Sequence, residues 1–315
     1  MMSSIFTYVS AENYKFFKSK LWKFSLLIVT LFSLFMIMSI HKDNDWKNNI
    51  TKTNQEIAVQ LKMTPYELEQ TFKSDSLIKE WKENNAYLKA NIKPATIDTI
   101  QGYLSEVMSL KGLGLIVIAF TIIFAVSIAK EFESGTIKFM MISPYSRVKV
   151  ILGKYLNVLL VSFLFLFSVL LINALIAFFF MDMSDSVRLL YVNGEIISIS
   201  IYGFMVKNIL LSLIYYLVYT TFAFMLATLF RSVSISLSIS LLFALLGTQL
   251  IGVFNVSTKI KQYILPTIVD LTHYYKGQTL VEANNYSLLS CLIIILVYMA
   301  TFLLITVTTF KNRDI

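Results

Sequence analysis

Six stretches of this chain are long and apolar enough to cross a lipid bilayer, and this constrains its fold more than any other feature. A helical crossing takes roughly 20 mostly apolar residues. Segments of about that length lie at 22–41, 112–129, 155–181, 208–230, 232–253 and 287–310, and none holds an Asp, Glu, Lys or Arg apart from Lys23. An isolated strand in lipid leaves its backbone groups unsatisfied, so each run is expected to be a helix. Composition agrees: 57% of the 315 residues are hydrophobic and 15% charged. Soluble domains run at about 45–50% apolar and about 25% charged. The expected fold is an all-α integral membrane protein, one transmembrane domain over 1–315.

Charge sets the expected orientation. The net charge is +8, but the basic residues are not spread as a nucleic-acid surface would need. Twelve of the 27 Lys and Arg flank apolar runs: Lys15, Lys18, Lys20 and Lys23; Lys130, Lys138, Arg147, Lys149 and Lys154; Arg231; Lys311 and Arg313. The two short connections on the other side carry Arg188, Lys207, Lys259, Lys261 and Lys276. Basic flanks stay in the cytoplasm, so both termini are expected inside, N-in and C-in, with anionic lipid as a partner and no nucleic acid. Some 20 polar and aromatic residues precede the first run, which is expected to remain as an anchor rather than be cleaved. Cys291, the single cysteine, lies in an apolar run and reads as a small core hydrophobe.

Residues 1–21 form an amphipathic pattern. Ile5, Val9 and Phe16 share one face while Glu12, Lys15 and Lys18 lie on the other, the pattern of a helix in the inner interface. The insertion at 42–111 carries ten basic and ten acidic residues and no run long enough for a core of its own. Thr64-Pro65-Tyr66-Glu67 reads as a capping box. Leu77, Ile78, Trp81 and Leu88 recur near helical spacing, and 96–109 is expected to run straight into the second span. A mainly helical extracellular cap is expected, with a polar linker as the plainer alternative. Segment 254–286, with Pro266, is expected to form short outer helices that do not cross.

Within the spans the polar groups are few: Thr121, Asn157, Asn173, Gln249 and the serines of 232–240. As a helix, Ser232, Ser236 and Ser240 stack on one face and Ser234 and Ser238 on nearly the opposite one, so neighbours are expected to grip it from two sides. The alternative is a polar stripe along a substrate path, with Asn173, Ser236, Ser240 and Gln249 as lining candidates. Carriers coupled to protons place ionisable groups at mid-membrane, and these spans have none. No phosphate-binding GxxxxGK[ST] is present, and His41 and His273 belong to no metal motif. No catalytic residue, metal or cofactor is expected in this chain, so energy for work must come from a partner.

Residues 130–154 join spans two and three on the basic side. Glu131 and Glu133 follow the second span, Gly135-Thr136 permits a sharp turn, and Ser143-Pro144 reads as the N-cap and first residue of a helix continuing through Arg147 and Lys154. This elbow resembles the loop of permease subunits of type-2 ABC exporters, in which Glu, Gly-Thr, an apolar stretch, Ser-Pro, Ser-Arg and Gly-Lys follow in order. The matching positions are Glu131 or Glu133, Gly135, Thr136, Ser143, Pro144, Ser146, Arg147, Gly153 and Lys154, and the ending FKNRDI is similar as well. The 42–111 loop is longer than in compact members of that family.

The resemblance implies a pathway formed by two permease chains, identical or closely related. It also implies two copies of a separate ATPase subunit that binds ATP and Mg. Glu131, Glu133, Gly135, Thr136, Ser143, Pro144, Arg147 and Lys154 would then form the ATPase-coupling elbow. The expected cargo is a hydrophobic or amphipathic peptide, for secretion or immunity, in a Gram-positive cell membrane. Sodium or small-drug efflux and a non-transporting sensor or scaffold are the alternatives.

Overall fold

The computed structural model describes residues 2–40, 45–71, 75–95, 98–107, 113–138, 146–183, 187–192, 195–253, 260, 263–269, 271 and 288–312. In chain order the elements are α1 (Met2–Lys18), α2 (Lys20–Ser39), α3 (Trp46–Leu61), α4 (Pro65–Gln70), α5 (Ser76–Ala90), α6 (Ile100–Glu106), α7 (Gly114–Glu133) and α8 (Arg147–Phe180). A hairpin of β1 (Val187–Val192) and β2 (Glu195–Ser200) follows, then α9 (Ile201–Phe230), α10 (Val233–Val253), α11 (Leu265–Ile268) and α12 (Leu288–Asn312). Helices α2, α7, α8, α9, α10 and α12 are the six long and apolar enough to cross a membrane.

Helix α9 is the hub: it packs against α7, α12, α10, α8 and α6. Its side chains suit that position, because buried Ala223 and Ala227 allow close approach while Tyr216, Tyr219 and Phe224 fill the space between. Its polar groups find partners inside the bundle. Tyr155 Oη on α8 lies 3.0 Å from Thr221 Oγ1, and Tyr215 Oη donates to the Ala244 carbonyl at 3.2 Å. Arg231, in the left-handed conformation at φ 52°, ends α9 and lets α10 fold straight back, the tight hairpin that the sequence implied.

One expectation about α10 is only half met. Ser236 and Ser240 are fully buried, packed where α10 meets α7 and α9, and Ser236 Oγ donates to the Leu226 carbonyl at 3.1 Å. Ser234 and Ser238 are exposed. One serine face is gripped and the other is open, so the two-sided grip is corrected to a single seam.

The end of the bundle beyond Phe180 carries the inserted elements. The capping box at α4 is formed: Glu67 N donates to Thr64 Oγ1 at 3.3 Å, and Thr64 N to Glu67 Oε2 at 2.7 Å. Contrary to expectation, this insertion has a small core of its own, made by Ile57, Leu68, Ile78 and Trp81. Tyr87 takes the buried position that the helical pattern gave to Leu88. Helix α6 ends at Glu106 and α7 begins at Gly114, so the stretch expected to enter the second span unbroken is two helices. Within 254–286 the described residues contain α11, with Pro266 inside it.

The larger departure is the hairpin, which no all-α expectation contains. Val192 pairs with Glu195 across the two residues Asn193-Gly194, a strong hairpin dipeptide. Helix α5 covers the outer edge of β1. The N–H of Leu189 donates to Tyr87 Oη at 2.8 Å, and that of Tyr191 to Glu83 Oε1 at 2.9 Å. One helical turn on α5 thus matches one two-residue repeat of the strand, about 6 Å against about 7 Å. Helix α6 wedges between α8 and α9, where Tyr103 Oη donates to Asn173 Oδ1 at 2.5 Å and Asn208 Nδ2 to the Ser105 carbonyl.

Two measurements check this packing. A Cβ at Gly247 would lie 2.7 and 2.9 Å from the Pro266 ring, so Gly247→Ala is expected to destabilise the protein by about 1–3 kcal/mol. Thermal unfolding in detergent reads this as a lower midpoint. Burial raises the Glu83 carboxyl above its ordinary range, with the Tyr191 N–H opposing it only in part. A raised acid stabilises the fold below its unfolded value and loses that contribution as pH rises through the folded one. Glu83→Gln keeps the acceptor and removes the charge. It should slow hydrogen exchange at the Tyr191 amide at pH 7 and lose that advantage in acid.

Candidate coupling face

The opposite end of the bundle gathers the charged flanks. Lys154 lies about two turns inside α8, yet it is only 4% exposed. A buried ammonium needs partners, and it has two carboxylates: Glu131 Oε2 at 2.6 Å from the end of α7 and Glu12 Oε1 at 3.2 Å from α1. Glu131 Oε1 also receives Lys15 Nζ at 3.2 Å. Partial burial alone would lower the Lys15 ammonium, but the charge and hydrogen bond of Glu131, with Glu12, hold it above its ordinary value. The result is an alternating quartet, Glu12, Lys154, Glu131 and Lys15, that fastens α1 to the ends of two spans.

Aromatic packing doubles that fastening. Phe16 meets Phe124 edge-on at 5.0 Å, Phe124 meets Phe165 at 5.1 Å, and Trp22 sits 6.0 Å from Phe165. Helix α1 therefore docks on the protein through Val9 and Phe16, and Glu12 faces the bundle rather than the polar side where its helical angle put it.

The elbow proper begins at Glu133. Its Oε1 accepts the N–H of Val233 at 2.7 Å, placing a carboxylate at the N-terminus of α10, where backbone donors and the helix dipole favour an anion. Gly135 has φ +70° with open space where a Cβ would stand, so the backbone conformation, not crowding, calls for glycine. Thr136 Oγ1 donates to the Glu131 carbonyl at 3.3 Å and lies 3.0 Å from Ser134 Oγ, which ties the turn down. Arg147 Nη1 donates to the Lys311 carbonyl at 3.3 Å, joining the start of α8 to the end of α12. The Arg231 guanidinium stands 5.2 Å over the Phe132 ring, and Phe132 meets Phe310 at 6.0 Å. All four basic clusters thus contribute to one end of the molecule.

Ser143 and Pro144 lie outside the described residues. The described helix starts at Arg147 with Ser146 as N-cap, later than the start expected at Pro144. Of the expected coupling residues, Glu131 and Lys154 are held inside the chain; Glu133 and Arg147 brace neighbouring helix ends and remain exposed. Sequence reasoning missed Glu12 and Lys15 as their partners. The candidate lining residues do not converge. Asn173 is fully buried with its amide bound to Tyr103 and the Val169 carbonyl, and Ser236 and Ser240 form the packing seam. Gln249 is exposed, its amide 2.9 Å from Thr248 Oγ1. Among the described residues no cluster of His, Cys, Asp and Glu has the makings of a metal site.

Six apolar crossing helices with their charged flanks drawn to one end define a multi-pass membrane protein. The chain belongs to the DUF2705 family, described as proteins of unknown function, whose profile matches residues 70–315. It is similar to the uncharacterized protein YhcI of Bacillus subtilis (strain 168), 29% identical over 279 residues that cover 87% of this chain and 85% of that one. It is also similar to the uncharacterized membrane protein YdbK of the same organism, 28% identical over 229 residues covering 71% of this chain and 87% of the relative.

Removing one partner of a buried ion pair costs about 3–5 kcal/mol. Lys154→Met should accordingly lower the unfolding midpoint and release α1, read as new protease cleavage within the first 20 residues. Glu12→Gln leaves Glu131 to hold Lys154 and should do markedly less.

Proposed function

We propose that this protein is the membrane-spanning permease subunit of an ATP-driven ABC exporter of the type-2 class, with ATP and Mg bound by separate ATPase subunits. The observation that carries the reading is the bracing of the Glu131–Lys138 turn. Its residues end α7 and are bonded to α1, α8 and α10, so a push on its exposed rim reaches four helices at once. A loop that merely connected two spans would need none of these ties. The exposed residues Glu133, Ser134, Lys138 and Arg147 offer the rim to a partner, while the Glu12–Lys154–Glu131–Lys15 quartet passes its movement inward.

In this reading both termini and the charged end lie in the cytoplasm, where basic flanks belong. Two copies form the pathway in the cell membrane of a Gram-positive bacterium, an origin that the two Bacillus relatives support. The uncharged spans suit a hydrophobic or amphipathic peptide as cargo. The chain performs no catalysis itself and acts by changing access.

Affinity purification of the full chain from its native membrane tests this. A stoichiometric ATPase should co-purify, and Glu133→Lys combined with Lys138→Glu should reduce its retention at least tenfold while the chain still folds. A chain that elutes without an ATPase from gently solubilised membranes would overturn the reading.

A further inference from the structure

The hairpin has two edges, and the protein treats them differently. Since Val192 and Glu195 face each other across a two-residue connection, they exchange hydrogen bonds, as do Leu190 with Ile197 and Arg188 with Ile199. The intervening residues point their backbone groups outward: Leu189 and Tyr191 from β1, Ile196 and Ser198 from β2. On β1 this parity is visible, because Leu189 and Tyr191 are the two that bond Tyr87 and Glu83 of α5. On β2 the outward N–H and C=O groups of Ile196 and Ser198 meet no partner among the described residues. Both faces of the strand are open as well, with Ile196 and Ile197 each 41% exposed.

Proteins ordinarily blunt a free edge with Lys, Pro, a bulge or a cover. Residues 196–200, Ile-Ile-Ser-Ile-Ser, have no charge and no proline. Backbone groups in this geometry are complementary to another extended strand and to little else. We propose that the outer edge of β2 pairs antiparallel with β2 of a second copy of this chain, centred on Ser198.

Two observations favour a second copy as the occupant. The segment is self-complementary: centred on Ser198 it sets Ile196 opposite Ser200 of the other copy, with no like charges facing each other. The strand is also fixed to the end of a crossing helix. Two copies in one bilayer therefore present their edges at the same height, and confinement raises their effective concentration. The proposal rests on the two-copy assembly of the preceding reading and names its contact.

Disulfide mapping in membranes holding this chain alone, with no ATPase, tests it in a Cys291→Ser background. Directly opposed residues of a hydrogen-bonded antiparallel pair have Cα atoms ~5.5 Å apart. That separation lies within the ~4.4–6.8 Å that a disulfide spans. Ser198→Cys should give a covalent dimer on mild oxidation. Ile197→Cys alone should give little, but co-expressed with Ile199→Cys it should cross-link, because those positions face each other across the pair. Ser198→Pro removes an N–H that the hairpin does not use, so the hairpin stays intact while single-molecule photobleaching changes from mainly two steps to mainly one. A Ser198→Cys chain that folds but stays monomeric overturns the proposal. If that chain instead couples to an added cysteine-bearing extended peptide, the edge receives a peptide strand and self-pairing is likewise overturned. ATPase retention is measured separately, so neither result decides the other.

Discussion

The buried ammonium of Lys154 is the interaction on which the charged end depends. An ion out of water is tolerated only when its charge is answered nearby, and the two carboxylates that answer it come from different helices. Neutralising Lys154 holds the end of α7 to the first turns of α8 and sets the side on which α1 lies. The aromatic cluster of Phe16, Trp22, Phe124 and Phe165 then has little freedom in how it packs. Side chains at this end join helices that are far apart in the chain. Glu12 and Lys154 are separated by 142 positions, Arg147 and Lys311 by 164.

The other end is built differently. There the ties between inserted elements and the bundle are mainly hydrogen bonds of neutral groups: Tyr103 with Asn173, Asn208 with the Ser105 carbonyl, and Tyr87 with β1, joined by the Glu83 carboxyl. A small core under α3, α4 and α5 makes the insertion a compact unit, and α5 joins it to the hairpin between the third and fourth spans. Full charges contribute here as well, as local pairs: Lys89 meets Glu69 at 2.6 Å and Lys93 meets Asp98 at 3.2 Å.

The spans were legible in the sequence because the hydrophobic signal is long and uninterrupted; each crossing helix overlaps its apolar run. The capping box of Thr64 and Glu67 was legible because its bonds close within four residues. The hairpin was missed, although Asn193-Gly194 between β-branched and apolar residues carries its signal. In a chain this apolar, the expectation of helices everywhere outweighed it. Glu131 and Lys154 stood out by motif, but their neighbours did not. Helical angle alone put Glu12 on the polar side, and only the packing of α1 against α8 turns it inward. The two serine faces of α10 failed for a related reason: periodicity gives the faces of a helix and says nothing of how many neighbours it has.

Helix α8 runs unbroken for 34 residues, from beside the quartet to beyond the Tyr103–Asn173 bond. At ~1.5 Å per residue that is a rod of about 51 Å, well beyond the ~30 Å of hydrocarbon it crosses. A rod gripped at both ends converts angle into distance: a tilt of about 10° about its foot carries its head about 9 Å sideways. The membrane would see only a small rotation in its middle, while the hairpin attached at the head would sweep through most of a helix diameter.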